Sequence, residues 1–199
     1  MKSSVSLSAH QKLCVAVAAL ALGSTAVWES TTTAAGASTA SAMDSSPSTS
    51  TARSWSFEDE PTGRTPRGFT VAAGRWELVP DHTGSGGGTA LGQFESSPNA
   101  VFNVALIEDA SYRNVDISVR LRAVAGEVDQ GGGIVWRAQD ARNYYIARYN
   151  PLEDSLRVYT VKDGRRRTIA GASLRVDHEA WHTLRVKMVG DHIECLLSS

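Results

Sequence analysis

Apolar and polar residues alternate one by one through much of the second half of this chain. In residues 114–123 the apolar Val115, Ile117, Val119 and Leu121 are interleaved with Asp116, Ser118, Arg120 and Arg122. Successive side chains on a strand point to opposite faces, so a period of two makes one face apolar and leaves the other wet, whereas a helix would need a period near 3.6. Residues 183–189 repeat the pattern, with Leu184, Val186 and Met188 expected inward and Arg185 and Lys187 outward. Gly190-Asp191 then reads as a two-residue hairpin turn, after which Ile193, Cys195 and Leu197 resume the alternation. Asp163-Gly164 marks a second hairpin between residues 156–162 and 165–170, because both central positions of a type I′ turn need a positive φ. A third hairpin is expected to join residues 133–137 to residues 143–150 through Gln139-Asp140-Ala141-Arg142. Shorter strands are expected at residues 55–57, 75–79, 90–94 and 101–105, a glycine-rich surface loop at 83–89, and no amphipathic helix beyond one turn near 106–110. About ten strands with turn signals every eight to twelve residues predict an all-β, two-sheet antiparallel sandwich.

The first fifty residues have a different character. Residues 1–26 read as a secretory leader: Lys2 and Lys12 supply positive charge, Leu13–Leu22 is the apolar core, and Ser24-Thr25-Ala26 offers a small-residue cleavage site. The apolar run is too short to span a bilayer, so no stable membrane insertion is expected after cleavage. Lys12 and the early position of Cys14 argue against a lipid anchor. Residues 27–54, nearly all Ser, Thr, Ala and Gly from residue 30 onward, bury too little apolar surface to offset the entropy of ordering and read as a flexible tether. The folded domain is therefore expected at residues 55–199, secreted or held in a periplasmic or extracellular space. Hydrophobic residues at 42% are enough for its core. The 20 Lys and Arg against 21 Asp and Glu leave no basic excess, so nucleic acid is not an expected partner. Two cysteines make no disulfide framework.

Several ordered phrases resemble the concanavalin A-like lectin/glucanase superfamily, and within it the laminin-G-like branch that contains the 3-keto-disaccharide hydrolase domain. They are Trp55-x-Phe57-Glu58, Gly74-Arg75-Trp76-Glu77-Leu78 and Tyr112-Arg113-Asn114-Val115-Asp116. After these come residues 128–137 (VDQGGGIVWR), Asn143-Tyr144-Tyr145-x-x-Arg148 and Trp181-His182-x-Leu184-Arg185-Val186. The resemblance implies a jelly roll of two curved sheets whose concave face often holds sugar. It also implies closing strands beyond Cys195, which this sequence is expected to lack.

The glucanases of this superfamily place their acid pair as E-x-D-x-E or E-x-D-x-x-E. Here Glu127-Val128-Asp129 is followed by Gly131 and Gly132 where the third carboxylate should stand, so that mechanism lacks its proton donor. The best ligand-binding patch is the central hairpin with the turn after it: Trp136, Arg137, Tyr144, Arg148, Asn150 and Glu153. Aromatic faces stack on sugar C–H surfaces, while Arg and Asn hydrogen-bond hydroxyls. Strand parity puts Tyr144, Ile146, Arg148 and Asn150 on one face, expected to be wet, and Tyr145, Ala147 and Tyr149 on the inward one. The competing reading makes Trp136 and the tyrosines core residues. Glu153-Asp154 reads as a solvated acidic turn, or as calcium oxygens with Asp140 or Asp129, although no calcium motif supports an ion and no cofactor is expected. His178 and His182 lie about 13 Å apart on a strand, too far to share a metal. Arg165-Arg166-Arg167 at the tip of the second hairpin reads as a solvated run, with anionic polysaccharide or phospholipid as the functional alternative. The expected function is an exported, non-catalytic module that binds carbohydrate or a cell-surface glycan. The alternative is a hydrolase or lyase acting on 3-keto-glycosides.

Overall fold

The computed structural model describes residues 19–21, 52–83, 88–97, 101–126 and 129–198. The described residues form twelve strands in four antiparallel sheets. The short β1 (Ala19–Ala21) lies within the expected leader and pairs with β4 (Gly88–Gln93), which pairs with β3 (Trp76–Asp81). The rest of the expected leader, and the tether up to residue 51, lie outside the described residues. A second sheet runs in the order β10 (Arg165–Ser173), β9 (Ser155–Lys162), β8 (Asn143–Asn150), β7 (Gly132–Asp140). A third runs in the order β12 (His192–Ser198), β11 (His182–Val189), β6 (Val115–Leu121), and β2 (Phe69–Ala73) pairs with β5 (Val104–Ile107). Among these residues no helix is long and apolar enough to cross a membrane.

The alternation does what it predicts in the third sheet. Leu184, Val186 and Met188 are buried, and Leu121 and Val115 join them from the neighbouring strand. Facing them are Ile134, Trp136, Ala147, Tyr149, Leu156 and Val158 from the second sheet, in one continuous core. Trp136 is fully enclosed and its indole N–H donates to the Met188 sulfur at 3.0 Å, tying one layer to the other. Tyr145 stacks on the same indole at 5.7 Å. The hairpins follow their turn residues: Asp163 and Gly164 adopt φ of 52° and 77°, and Gly190 adopts 62°.

Three local expectations fail. Residues 55–57 are not a strand; Phe57 takes a φ of 65° and its ring packs edge-on against Phe69, which itself opens β2, a strand not foreseen. β7 and β8 are joined by Ala141-Arg142 with an irregular register after Trp136, a tighter turn than expected. The third concerns the face of Tyr144 and Ile146. Instead of meeting water, these side chains are buried with Val104, Val135, Tyr159 and Val161, under partial cover from Phe102 and Leu106. Burial pushes the Tyr144 phenol up to about 12.

β10 and β12 are the outer strands of their sheets, and between them opens an apolar cavity of about 380 Å³ lined by Leu156, Val158, Ile169, Ala172, Ile193 and Cys195. Burial there pushes the Cys195 thiol up to about 11. Because the thiolate is the reacting species, alkylation of Cys195 by iodoacetamide at pH 8 is expected to be at least about tenfold slower in the folded protein than in urea. Mass spectrometry of the peptide bearing Cys195 checks this, and equal rates would contradict it.

Candidate functional site

At the far end of β8 the same outer face becomes polar. β8 pairs with β9 so that Arg148 lies opposite Arg157 and Asn150 opposite Ser155, while Gly133 of β7 flanks Arg148 on the other side. Gly131, just before β7, and Gly133 within it allow this close approach. A Cβ on Gly133 would lie 2.0 Å from the Ala147 carbonyl oxygen, and one on Gly131 (φ 107°) would lie 2.1 Å from that of Tyr149. Neither backbone atom can retreat, so glycine is required at both positions.

Asn150 then turns the chain. Its side-chain oxygen accepts from the Leu152 N–H at 3.0 Å, capping a single 3₁₀ turn, Pro151–Glu153, with proline at the first position where no N–H is needed. Asp154 leaves that turn in the left-handed region at φ 47°. The turn carries Glu153 back over the sheet to Arg148. Its Oε2 accepts from the Arg148 Nη2 at 2.8 Å and from the Ser155 hydroxyl at 3.0 Å, with the Arg157 Nε 3.7 Å away. On the other side Asp129 accepts from the Arg148 Nη1 at 2.8 and 3.1 Å, and from the Asn150 Nδ2 at 2.6 Å.

The result is a guanidinium held between two carboxylates. The Arg148 side chain is 8% exposed, whereas those of Asp129 and Glu153 are 42% and 45% exposed. The cation forms the floor and the two acids stand at the rim, with Arg157 beside them. The four charges cancel, so the site presents oriented acceptors and donors rather than a net field. Carboxylate oxygens already fixed by charge-assisted hydrogen bonds are well placed to accept further bonds from hydroxyl groups.

Of the expected site residues, the structure brings together Arg148, Asn150 and Glu153. Trp136 and Tyr144 are removed by burial, the first in the main core and the second in the outer cluster. Arg137 lies at the opposite end of the hairpin, where its Nη2 donates to the carbonyls of Arg113 and Gly190 at 3.1 and 2.7 Å. Asp140 is likewise distant from Asp129 and accepts from the Arg142 N–H and the Asn143 amide at its own turn. Those bonds, the Arg142 one foremost, hold its carboxyl below the usual range. His182 is buried against the ring of Tyr149 with its Nε2 2.6 Å from the Asp177 carbonyl oxygen, while His178 sits 3.2 Å from Asp154, so the two histidines have separate partners. Among the described residues no three His, Cys, Asp or Glu side chains converge in a metal-holding arrangement. Asp129, considered in the sequence only as a calcium oxygen or an incomplete catalytic set, is the largest addition to the site, together with Arg157.

Neither a protein-family model nor a curated protein matches the chain. Among solved structures it is similar to the carbohydrate-binding module CBM66 from Bacillus subtilis, with a TM-score of 0.52 and 19% identity over 65% of this chain and 73% of that one. The fold is like that of CBM66. At this identity the likeness to CBM66 speaks for the β-sandwich and for nothing finer.

Proposed function

We propose that this domain is a carbohydrate-binding module and that its ligand sits on the guanidinium–carboxylate cluster of Arg148, Asp129 and Glu153, with Arg157 beside it and the fully buried Asn150 bracing Asp129 from beneath. The observation that carries the reading is a buried, doubly paired Arg148 beneath two half-exposed carboxylates. Such a rim offers several directed acceptors and donors in a small area, as a polyol needs, and it is pre-ordered by its own hydrogen bonds. The β-sandwich shared with a carbohydrate-binding module supports the same reading as an analogy of fold. Export, the tether and the finer placement in the laminin-G-like branch belong to this proposal and rest on the leader, the Ser/Thr-rich stretch and the ordered phrases of the sequence.

The test is a glycan array followed by calorimetry on the full chain and on Glu153→Gln. This substitution keeps the shape of the side chain and removes its charge. Loss of a charge-assisted acceptor is expected to weaken binding about tenfold or more. The same samples are assayed for turnover of 3-keto-glycosides. Binding weakened by the substitution, without turnover, supports the module; turnover would favour the hydrolase or lyase, and binding indifferent to Glu153→Gln would place the ligand elsewhere.

A further inference from the structure

The three arginines at the tip of the β9–β10 hairpin do not form one basic patch. The register sets Arg166 opposite Val161, which in turn lies opposite Tyr144, and sets Thr168 opposite Tyr159 and then Ile146. Arg166 and Thr168 therefore share the outer face with Arg148 and Arg157. Arg165 and Arg167 pair with Lys162 and Thr160 and point to the other side.

Arg166 is also held in place. Its guanidinium carbon lies 5.7 Å from the centre of the Phe102 ring and 5.8 Å from that of Tyr159, and the two rings are 5.6 Å apart. The side chain leans back along the face toward Tyr159, which is the next outward residue after Arg157. Unlike Arg148 and Arg157, it has no carboxylate within ion-pair distance among the described residues. The outer face thus carries Arg148, Arg157 and Arg166 against Asp129 and Glu153, and the uncompensated positive charge is on Arg166.

Resting on the carbohydrate-binding reading, we infer that Arg166 forms a second subsite, for an acidic group on the glycan, and that the ligand is an acidic polysaccharide. The arginine fork suits a uronate carboxylate or a sulfate ester, both of which accept two parallel N–H bonds. Packing on two rings restricts the side chain before the ligand arrives, so binding costs less ordering entropy. Same-face residues on a strand are about 7 Å apart. Arg166 stands two strands across and two such steps along from Arg148, beyond the buried Ile146 and Tyr159, so the acidic substituent belongs a few sugar residues along from the ring held at the cluster. The two carboxylates at the cluster would repel an acidic group, so the neutral polyol end and the acidic end are assigned to different places.

The experiment compares neutral, uronate-bearing and sulfated oligosaccharides by calorimetry on the full chain, at low salt and at about 0.5 M salt. The acidic ligands are expected to bind about tenfold tighter than the neutral ones at low salt, and the advantage should shrink at high salt. In Arg166→Gln the affinity ratio of acidic to neutral ligand is expected to fall to about one, whereas Arg165→Gln, on the opposite side, keeps it. The uronate and sulfate arms identify which acid is preferred. Neutral and acidic ligands bound equally by the unmodified protein would overturn the Arg166 subsite and leave the Arg148 site standing. Binding of neither would overturn both.

Discussion

Arg148→Ala is expected to abolish carbohydrate binding and to lower stability by about 2–3 kcal/mol, read from urea midpoints. Removing one member of a buried ion pair costs about 3–5 kcal/mol when the partner is left buried and unpaired. Here both partners are roughly half exposed, so water takes up part of the loss and the cost falls below that range. What remains is two like charges facing each other across a hole, with Asn150 still donating to Asp129 but nothing tying Glu153 to the sheet beyond Ser155 and the distant Arg157. Arg148→Lys separates charge from geometry. A lysine keeps the positive charge but lacks the planar fork that reaches both acids, so it should recover much of the stability and little of the binding. An alanine variant with an unchanged midpoint would show that the cluster is not coupled to the fold.

Trp136→Ala is expected to cost about 4 kcal/mol, the largest loss of any single side chain considered. The indole sits between β7 and β11 with no exposure, stacked on Tyr145 and donating to Met188. Its removal opens a cavity at the centre of the sandwich that neighbouring strands cannot close without breaking their ladders. Trp136→Phe keeps most of the volume and the stacking, and is expected to lose only about 1–2 kcal/mol. Denaturant curves on both variants check this. A small effect for the alanine variant would mean that Trp136 is solvated and belongs with the ligand-facing residues after all.

These two residues show how far the sequence could be read. In β6 and β11 one face is buried and the other wet, so the period of two was decisive, and Leu184, Val186 and Met188 face inward as expected. In β7 and β8 both faces are covered over much of their length. There the pattern carries no information about direction, and an aromatic residue reads the same in a core or in a binding cleft. On sequence alone Trp136 and Tyr144 therefore group with Arg148, and the structure separates them by burial. That Arg148, Asn150 and Glu153 lie together is legible in the sequence, because an arginine and an asparagine alternate on one strand beside an Asn-Pro turn. The place of Asp129 is not, since its meeting with Arg148 depends on the register of Gly133 against Arg148 across 19 residues of chain. Phe57 and Phe69 illustrate the opposite limit: short apolar segments without alternation left strand and loop indistinguishable.

The central claim is that ligand contact occurs at the Arg148 cluster on the outer face of β7, β8 and β9. Nitrogen-resolved NMR of the full chain, titrated with the carbohydrate selected on the array, tests it most directly. The expected result is that the largest changes fall on the Arg148 side-chain N–H and on the backbone amides of Gly132, Gly133 and Glu153, while those of Leu184 and Val186 stay fixed. Changes confined to the opposite layer, around Arg120, Trp181 and Arg185, with the Arg148 signals unmoved, would contradict it.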